Sequence, residues 1–72
     1  LELVDGSSVV LNTGSLLTVD FTHAERSVRL LEGEAYFEVA EDARRPFVVY
    51  AAHRAAKAVG TAFTVRVRDG MT

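Results

Sequence analysis

Cysteine and tryptophan are both absent from the 72-residue sequence, and proline occurs once. The lack of cysteine excludes a disulfide framework and a zinc–thiolate site as supplements to the core. No apolar run approaches the roughly 20 residues of a membrane-spanning helix, and no signal peptide opens the sequence at Leu1. We expect any such segment of the full protein to lie outside this sequence. A chain of this length forms at most one small domain, which buries only about 60% of its unfolded surface.

Positive and negative side chains are distributed unevenly along the chain, whose net charge is −2. Residues 1–38 contain two arginines and seven acidic residues, a sum of −5, whereas residues 39–72 contain six basic and three acidic residues, a sum of +3. Halves of opposite sign can pair across a sheet, or each can present its own face to a partner. The basic residues are scattered and the few aromatic residues fall mostly on positions that look buried. The sequence therefore predicts no nucleic-acid binding.

The segment 26–40, RSVRLLEGEAYFEVA, contains two strand-like runs that meet at Gly33. Before Gly33 the apolar side chains fall on even positions, such as Val28 and Leu30, and after it they fall on odd positions, such as Phe37. Because strand side chains repeat every two residues, one straight strand cannot bury both sets on one face. Gly33 must therefore form either a β-bulge or a tight turn, and both use positive φ angles that glycine tolerates. Phe37 is the first candidate for the core.

Further short strands are predicted on both sides of this segment. An Asp-Gly-Ser turn signal at positions 5–7 separates two apolar runs, and a second turn cluster occupies positions 12–15. Residues 16–21 alternate between two faces as a strand does. The polar connector 41–46 ends in a proline that stops any ladder, and residues 47–50 form a short β-rich run.

The stretch 51–59, AAHRAAKAV, is compatible with two structures. Alanine, arginine and lysine favour a helix. Nine residues are short for an isolated helix, however, and no Ser, Thr, Asp or Asn caps its start. Strand-turn-strand is the preferred prediction, with a helix as the alternative.

The clearest half-buried strand follows Gly60. Apolar and polar side chains alternate there in a strict period of two. One face carries Thr61, Phe63, Val65 and Val67, and the other carries Ala62, Thr64, Arg66 and Arg68.

These runs predict an all-β fold of six to eight short, mainly antiparallel strands, arranged as a small sandwich or barrel or as a solenoid-like stack. So small a sheet does not close easily. At least one strand edge should therefore stay open and invite pairing with another protein or a second copy, which would give a homo-oligomer.

Four motifs occur in order along the chain: DGSSVVLNTGS, ERSVRLLEGEAYFEVAED, RRPFVVYA and AVGTAFTVR. In this order they resemble the periplasmic FecR-type domain of bacterial transmembrane anti-sigma regulators, over nearly the whole chain. Any one motif alone would be a weak signal, but the combination is specific. The family usually continues into further strands after the GTAFTVR run. We therefore expect residues 1–72 to form the core part of such a domain, with C-terminal strands missing.

The resemblance implies a signalling role without chemistry. It implies a periplasmic domain joined through a transmembrane helix to a small cytoplasmic domain that handles an extracytoplasmic-function sigma factor. The implied partner is the N-terminal signalling domain of a TonB-dependent outer-membrane transducer that is often loaded with a ferric complex. No cofactor is implied.

The resemblance also gives the motif residues an architectural role. Gly6 fits a tight turn, Gly33 fits the change of parity, and Gly60 fits a strand start beside close backbone. The structural motif set comprises Asp5, Gly6, Gly33, Glu34, Phe37, Pro46, Phe47, Gly60, Thr61 and Phe63.

A partner surface is predicted on the polar face of the final strand. Thr64, Arg66 and Arg68 make this face basic, and we expect the acidic half of the chain to leave part of it uncovered. Glu34 is expected on a solvated face that meets Arg66 or Arg68 across the sheet.

Enzyme chemistry has little support in the sequence. Glu32 and Glu34 would lie about 7 Å apart on a strand, within the range of an inverting glycosidase pair, but a bulge between them would spoil this spacing. His23 and His53 have no partner at metal-ligand spacing, and no serine lies in a nucleophile elbow. We therefore predict no enzyme activity and no metal site.

Two functional hypotheses of different classes remain. The first is a signal-relay module that binds a protein, for example by adding a strand at an open edge. The alternative is a carbohydrate- or cell-wall-binding β module. Exposure of both Tyr36 and Tyr50 beside one groove would favour the alternative, whereas burial of both would weaken it.

Overall fold

The computed structural model describes residues 1–52 and 54–67, and these residues contain six strands and no helix. The strands are β1 (Ser8–Leu11), β2 (Leu16–Phe21), β3 (Arg26–Glu38), β4 (Phe47–Ala51), β5 (Arg54–Ala58) and β6 (Ala62–Val67). Four of the five pairings are antiparallel, and the pairing of β3 with β4 is parallel. The predicted all-β fold of short, mainly antiparallel strands is confirmed.

The 13-residue strand β3 belongs to two sheets. Its first part pairs with β2 and β4, and β5 extends this sheet beyond β4; the order β2-β3-β4-β5 is here called sheet I. Its last part, from Gly33 to Glu38, pairs with β1 and β6; the order β1-β3-β6 is here called sheet II. Because one strand runs through both sheets, their relative position depends on how β3 bends.

The bend lies at Gly33, which has a φ angle of +86° within the continuous strand. Of the two structures considered for this segment, the bulge is present and the hairpin is not. Leu16 pairs with Glu32 and Leu17 pairs with Leu30, so the extra residue of β3 is Leu31, two positions before Gly33. The extra residue shifts the alternation, so Val28 and Leu30 are buried before the bend and Ala35 and Phe37 are buried after it. The change of parity in the sequence therefore marks the passage of β3 from one sheet to the other.

The loop between β1 and β2 fits opposite this bend. β1 pairs with β3 only as far as Ala35, and β2 begins to pair at Glu32, so residues 12–15 bulge outwards between them. The hydroxyl group of Ser15 accepts a hydrogen bond from the N–H of Glu34 and donates one to the carbonyl of Glu34, both at 2.9 Å. The first bond pairs the N–H of Glu34, which the interrupted ladder would leave without an acceptor, while the carbonyl of Glu34 also accepts the backbone N–H of Asn12 at 3.1 Å.

The inner faces of the two sheets pack together around Phe37. Its ring centroid lies 5.9 Å from that of Phe47 in sheet I and 5.4 Å from that of Phe63 in sheet II. Phe21 adds an edge contact to Phe47 at 6.0 Å. The buried core comprises Val9, Val28, Leu30, Ala35, Phe37, Val39, Phe47, Val49 and Ala58. The prediction of Phe37 as a core residue agrees with its complete burial.

The stretch 51–59 forms strand-turn-strand, and the helical alternative is wrong. β4 ends at Ala51, Ala52 turns the chain with a φ angle of +57°, and β5 begins at Arg54. The five residues of β5 pair with all of β4, so tertiary pairing overrides the helix propensity of alanine. His53 lies outside the described residues.

Gly60 lies where two segments touch. A Cβ atom there would be 2.9 Å from the Cα atom of Glu41, so only glycine fits without displacement. Beside it, the N–H of Val39 donates to the carbonyl of Thr61 at 2.8 Å. The connector after β3 is thereby held against the start of β6.

Substitution of Gly33 by alanine should strongly destabilise the fold. The positive φ angle costs about 1–2 kcal/mol for a residue with a Cβ atom, and the new atom would lie 2.7 Å from the Cα atom of Ser15. We expect the free energy of unfolding in urea to fall by about 3 kcal/mol or more.

Gly14→Ala is the matched control for this substitution. Gly14 also has a positive φ angle, +81°, but a Cβ atom there would meet nothing within 4 Å. Only the backbone cost of about 1–2 kcal/mol should therefore appear. Equal losses for the two variants would contradict close packing of Ser15 against the bend.

Candidate functional site

Arg26, at the start of β3, is completely buried although it carries a charge. Its Nη1 atom donates to the carboxylate of Asp5 at 2.6 Å and to the carbonyl of Ala40 at 2.8 Å. Nε donates to the carbonyl of Arg45 at 2.7 Å, and Nη2 donates to that of Asp42 at 3.3 Å. The charge is therefore both paired and hydrogen-bonded, as a buried charge must be.

Ser7 extends this network to the backbone after β3. Its N–H and its hydroxyl group donate to the carboxylate of Asp5 at 3.0 and 2.7 Å, and its oxygen accepts the N–H of Ala40 at 2.8 Å. The guanidinium group of Arg26 also lies 5.5 Å from the ring centroid of Phe47, within cation–π distance. Three segments of the chain thus meet at one buried ion pair.

The side chain of Arg26 joins the two ends of β3. A straight strand of this length would span about 40 Å. Instead, the side chain of Arg26 at its start reaches Ala40, just past its end. Together with the bulge at Leu31 and the bend at Gly33, the network keeps sheet II folded over sheet I.

The surroundings of Asp5 keep it ionised. Burial by itself raises the pKa of its carboxyl group. Hydrogen bonds from Ser7 and from Arg26, together with the positive charge of Arg26, outweigh burial and lower the pKa below its ordinary value of 3.8. Asp5 is therefore a carboxylate at neutral pH.

Two of the three residues predicted to bind a partner lie on the outer face of sheet II, which faces away from the core. This outer face consists of three rows across the strands: Ser8–Glu38–Ala62, Val10–Tyr36–Thr64 and Asn12–Glu34–Arg66. Thr64 and Arg66 are both exposed there. Arg68 lies outside the described residues.

Glu34 sits at the centre of the charged row. Its Oε2 atom lies 3.0 Å from Nη2 of Arg66, and its Oε1 atom accepts a hydrogen bond of 2.6 Å from the amide of Asn12. The expected pairing of Glu34 with Arg66 is therefore present. An exposed pair of this kind contributes little to stability, but it neutralises the row. Within the described residues, this face is less basic than the sequence led us to expect.

The middle row of the outer face is unexpectedly apolar. The side chains of Val10 and Tyr36 are 58% and 40% exposed, and Thr64 continues the row on β6. Sequence reasoning missed Val10. A usable signal was the run of three apolar residues from Val9 to Leu11, because a strand cannot bury three consecutive side chains on one face. This row gives the outer face an apolar centre with polar flanks.

Tyr50 lies on the outer face of the other sheet. Its hydroxyl group donates to the carboxylate of Glu25 at 2.9 Å, and the guanidinium group of Arg29 lies 5.5 Å from its ring centroid. The hydrogen bond to Glu25 and partial burial raise the pKa of Tyr50. Tyr36 and Tyr50 therefore face different sides of the molecule and do not border one groove.

The motif residues named from the sequence occupy four places. The N-terminal turn contains Asp5 and Gly6, and the bend of β3 contains Gly33 and Glu34. The aromatic core contains Phe37, Phe47 and Phe63. The starts of β4 and β6 are flanked by Pro46, Gly60 and Thr61. Pro46 also accepts the backbone N–H of Arg26 at 2.9 Å through its carbonyl. These residues shape the scaffold behind the outer face.

Neither a metal-ligating cluster nor a membrane-spanning helix is found in the described part of the chain. Residues 1–52 and 54–67 contain no group of three or more metal-ligating side chains. The same residues contain no helix long and apolar enough to cross a membrane.

The family model of the FecR protein matches residues 1–72. The chain belongs to the FecR family. Two crystal structures of a proposed anti-sigma factor from Parabacteroides distasonis ATCC 8503 are similar to it, with TM-scores of 0.89 and 0.87, at 34% sequence identity over 99% of this chain. The match covers 34% of the Parabacteroides chain, so this chain spans about a third of that protein's length. No curated protein matches the sequence.

Removal of the carboxylate at the buried ion pair should destabilise this FecR chain. Asp5→Asn leaves the guanidinium of Arg26 buried without its counter-charge, which costs about 3 kcal/mol or more in free energy of unfolding. Glu34→Gln removes one charge of the exposed pair and should cost at most about 1 kcal/mol. Urea denaturation of both variants at pH 7 measures the two losses, and similar values would contradict a special role for the buried pair.

The same pair should make the stability of the FecR chain depend on pH in the acid range. Because the pKa of Asp5 is lowered in the folded state, its ionisation contributes to the free energy of unfolding. This contribution is complete at pH values above 3.8, the ordinary pKa of the group, and it is lost as the pH falls through the lower pKa of the folded state. The stability difference between the wild type and Asp5→Asn should therefore be constant from about pH 5 to 7 and shrink below about pH 4. Denaturation at a series of pH values measures it; a difference independent of pH would be the contrary result.

Proposed function

We propose that this chain is a signal-receiving domain of a sigma-factor regulator and that it acts by protein contact. The observation that carries the proposal is the FecR match over the whole chain. The similarity to a proposed anti-sigma factor at 34% identity supports the same class of function. The role is regulatory and requires no chemistry from the domain itself.

The partner in this proposal is the N-terminal signalling domain of a TonB-dependent outer-membrane transducer. The domain would then work in the periplasm, anchored to the inner membrane through the rest of its protein. The family resemblance supports this assignment. In such a relay, the domain must offer a stable surface that a second protein can recognise.

The outer face of sheet II suits that task. It combines an apolar centre, Val10 and Tyr36, with a polar flank formed by Glu34 and Arg66. Protein interfaces commonly have an apolar centre and a polar rim, with tyrosine and arginine enriched. Thr64, Arg66 and, in continuation, Arg68 are proposed as part of this surface.

A carbohydrate- or cell-wall-binding role is the weaker alternative. The 40% exposure of Tyr36 is the one feature in its favour. The second tyrosine lies on the opposite side, where Arg29 covers its ring. Stacking of a sugar between paired aromatic residues is therefore not supported by this arrangement.

Substitutions on the outer face test the proposed function. Tyr36→Ala and Val10→Asp should each weaken binding of the transducer's signalling domain about 5- to 30-fold, because each removes apolar contact at the centre of the interface. Titration calorimetry measures this effect, and transcription from a promoter of the regulated sigma factor should respond less to the signal.

The control lies on the outer face of sheet I, where Thr18 is exposed. Thr18→Asp introduces a similar charge away from the proposed surface and should leave binding unchanged. Charge reversal at Arg66 and Arg68 should also weaken binding. Unchanged affinity in the Tyr36, Val10 and Arg66 variants would exclude this face as the partner surface.

A further inference from the structure

The two ends of the outer face of sheet II differ in charge. At one end, the carboxylate of Glu34 is neutralised by Arg66. At the other end lies Glu38, which is exposed and forms no ion pair with any described residue. Its neighbours across the sheet are Ser8 on β1 and Ala62 on β6, and neither carries a charge. The face therefore has one neutral end and one acidic end.

A second carboxylate extends the acidic end. Glu2 is exposed and forms an antiparallel bridge with Ser8, and the N–H of Leu3 donates to the carbonyl of Ser7 at 2.8 Å in the same register. Because paired residues point to the same side of a sheet, Glu2 shares a row with Ser8 and Glu38. Two strand spacings separate the Cα atoms of Glu2 and Glu38, a distance of about 10 Å. A cation above Ser8 would therefore be near both carboxylates.

Arg66 is too far away to neutralise this end. Its partner Glu34 lies four residues before Glu38 on β3, which is about 13 Å along a strand. The Debye length at physiological ionic strength is about 8 Å, so exposed charges at this separation are largely screened from each other. Glu38 is also flanked by a strand on each side, and a further strand at either edge of sheet II would leave these neighbours unchanged.

The acidic end adjoins the apolar centre of the face. Tyr36 and Val10 lie two residues along their strands from Glu38 and Ser8, about 7 Å away. A partner that covers this centre must bring its own groups close to Glu38. An apolar or acidic group there would leave the carboxylate unpaired in a drier environment, whereas a basic side chain would pair with it. Charge complementarity therefore selects the chemistry of the partner.

We propose that the partner protein places a lysine or arginine side chain over the row of Glu2, Ser8 and Glu38 and an apolar side chain over Tyr36. This pairing fixes the orientation of the partner on sheet II, because the carboxylate of Glu34 at the opposite end is already held by Arg66. The inference deepens the proposed relay function, and it rests on that function only for the identity of the partner.

A second copy of this chain fits the acidic end poorly. Among the described residues of the outer face of sheet II, Arg66 is the one basic side chain, and Glu34 already holds it. A copy packed face to face would have to break that pair before it could offer a cation to Glu38. A different protein with an exposed lysine or arginine fits better.

Variants of Glu38 test the proposal through binding of the transducer's signalling domain. Glu38→Gln should lower the association rate several-fold and flatten its dependence on salt, because charges at the rim of an interface steer the encounter. Glu38→Lys should weaken affinity about tenfold or more. Surface plasmon resonance at about 50 and 150 mM salt measures both effects.

The matched controls are Asp20→Asn and Asp20→Lys. They make the same changes of charge at an exposed position on the outer face of sheet I and should change neither the association rate nor the affinity. Because Glu38 is exposed and unpaired among the described residues, its variants should also keep the urea midpoint of the wild type.

An exchange of charges tests direct pairing. Each exposed lysine and arginine of the signalling domain is changed in turn to glutamate. One of these variants should bind Glu38→Lys about fivefold or more tightly than the unchanged domain does, because the two reversed charges again attract. Restoration at none of the sites, or to the same degree at all of them, would contradict a direct pair.

A pair of capped peptides tests the surface without the transducer. In acetyl-Leu-Thr-Lys-amide, an extended backbone places leucine and lysine on one side about 7 Å apart, which matches the spacing of Tyr36 and Glu38. In an NMR titration at low salt, this peptide should shift the amide signals of Tyr36 and Glu38 several-fold more than acetyl-Leu-Thr-Glu-amide does at equal concentration. The preference should disappear in Glu38→Gln.

The outcomes separate this inference from the relay function. Equal binding of the signalling domain by the wild type, Glu38→Gln and Glu38→Lys would overturn the inference and leave the relay function standing. Equal shifts from the two peptides would also overturn it. A chain that prefers the lysine peptide but does not bind the signalling domain would refute the relay function and leave the inferred surface standing.

Discussion

The rest of the structure depends on the buried positive charge of Arg26. The guanidinium group of Arg26 binds Asp5 and three backbone carbonyls, and these acceptors come from two distant segments. A buried arginine that lost these partners would carry a large desolvation penalty. The N-terminal turn, the start of β3 and the connector 40–45 can therefore be stable only when all three are together, and this condition is what folds one sheet over the other.

Local patterns in the sequence predicted most of the strands. The alternation over residues 62–67 and the change of parity at Gly33 both follow from side-chain direction, which depends only on near neighbours. The stretch 51–59 was harder, because alanine favours a helix while pairing with β4 stabilises a strand. The burial of Arg26 could not be predicted. Its partners lie 14 to 21 residues away, and nothing local distinguishes it from a solvated arginine.

The sequence predicted which residues of the last strand share a face, but it did not predict which residues of the neighbouring strands lie beside them. The period of two placed Thr64 and Arg66 on one side of the last strand. Which residues stand beside them depends on the register of β1 and β6 with β3, and that register joins residues 24 to 34 positions apart. For the same reason, the charge of each half of the chain did not reveal how far Glu34 neutralises Arg66. A sum of charges carries no information about which groups meet.

The sharing of β3 by both sheets has a consequence for cooperativity. Each sheet uses a different part of the same backbone, and every other strand except β5 pairs directly with β3. Separation of either sheet would remove the bend, the aromatic contacts around Phe37 and the acceptors of Arg26 at once. The two sheets therefore form a single foldon. A partner that orders one of them acts on the free energy of the whole domain.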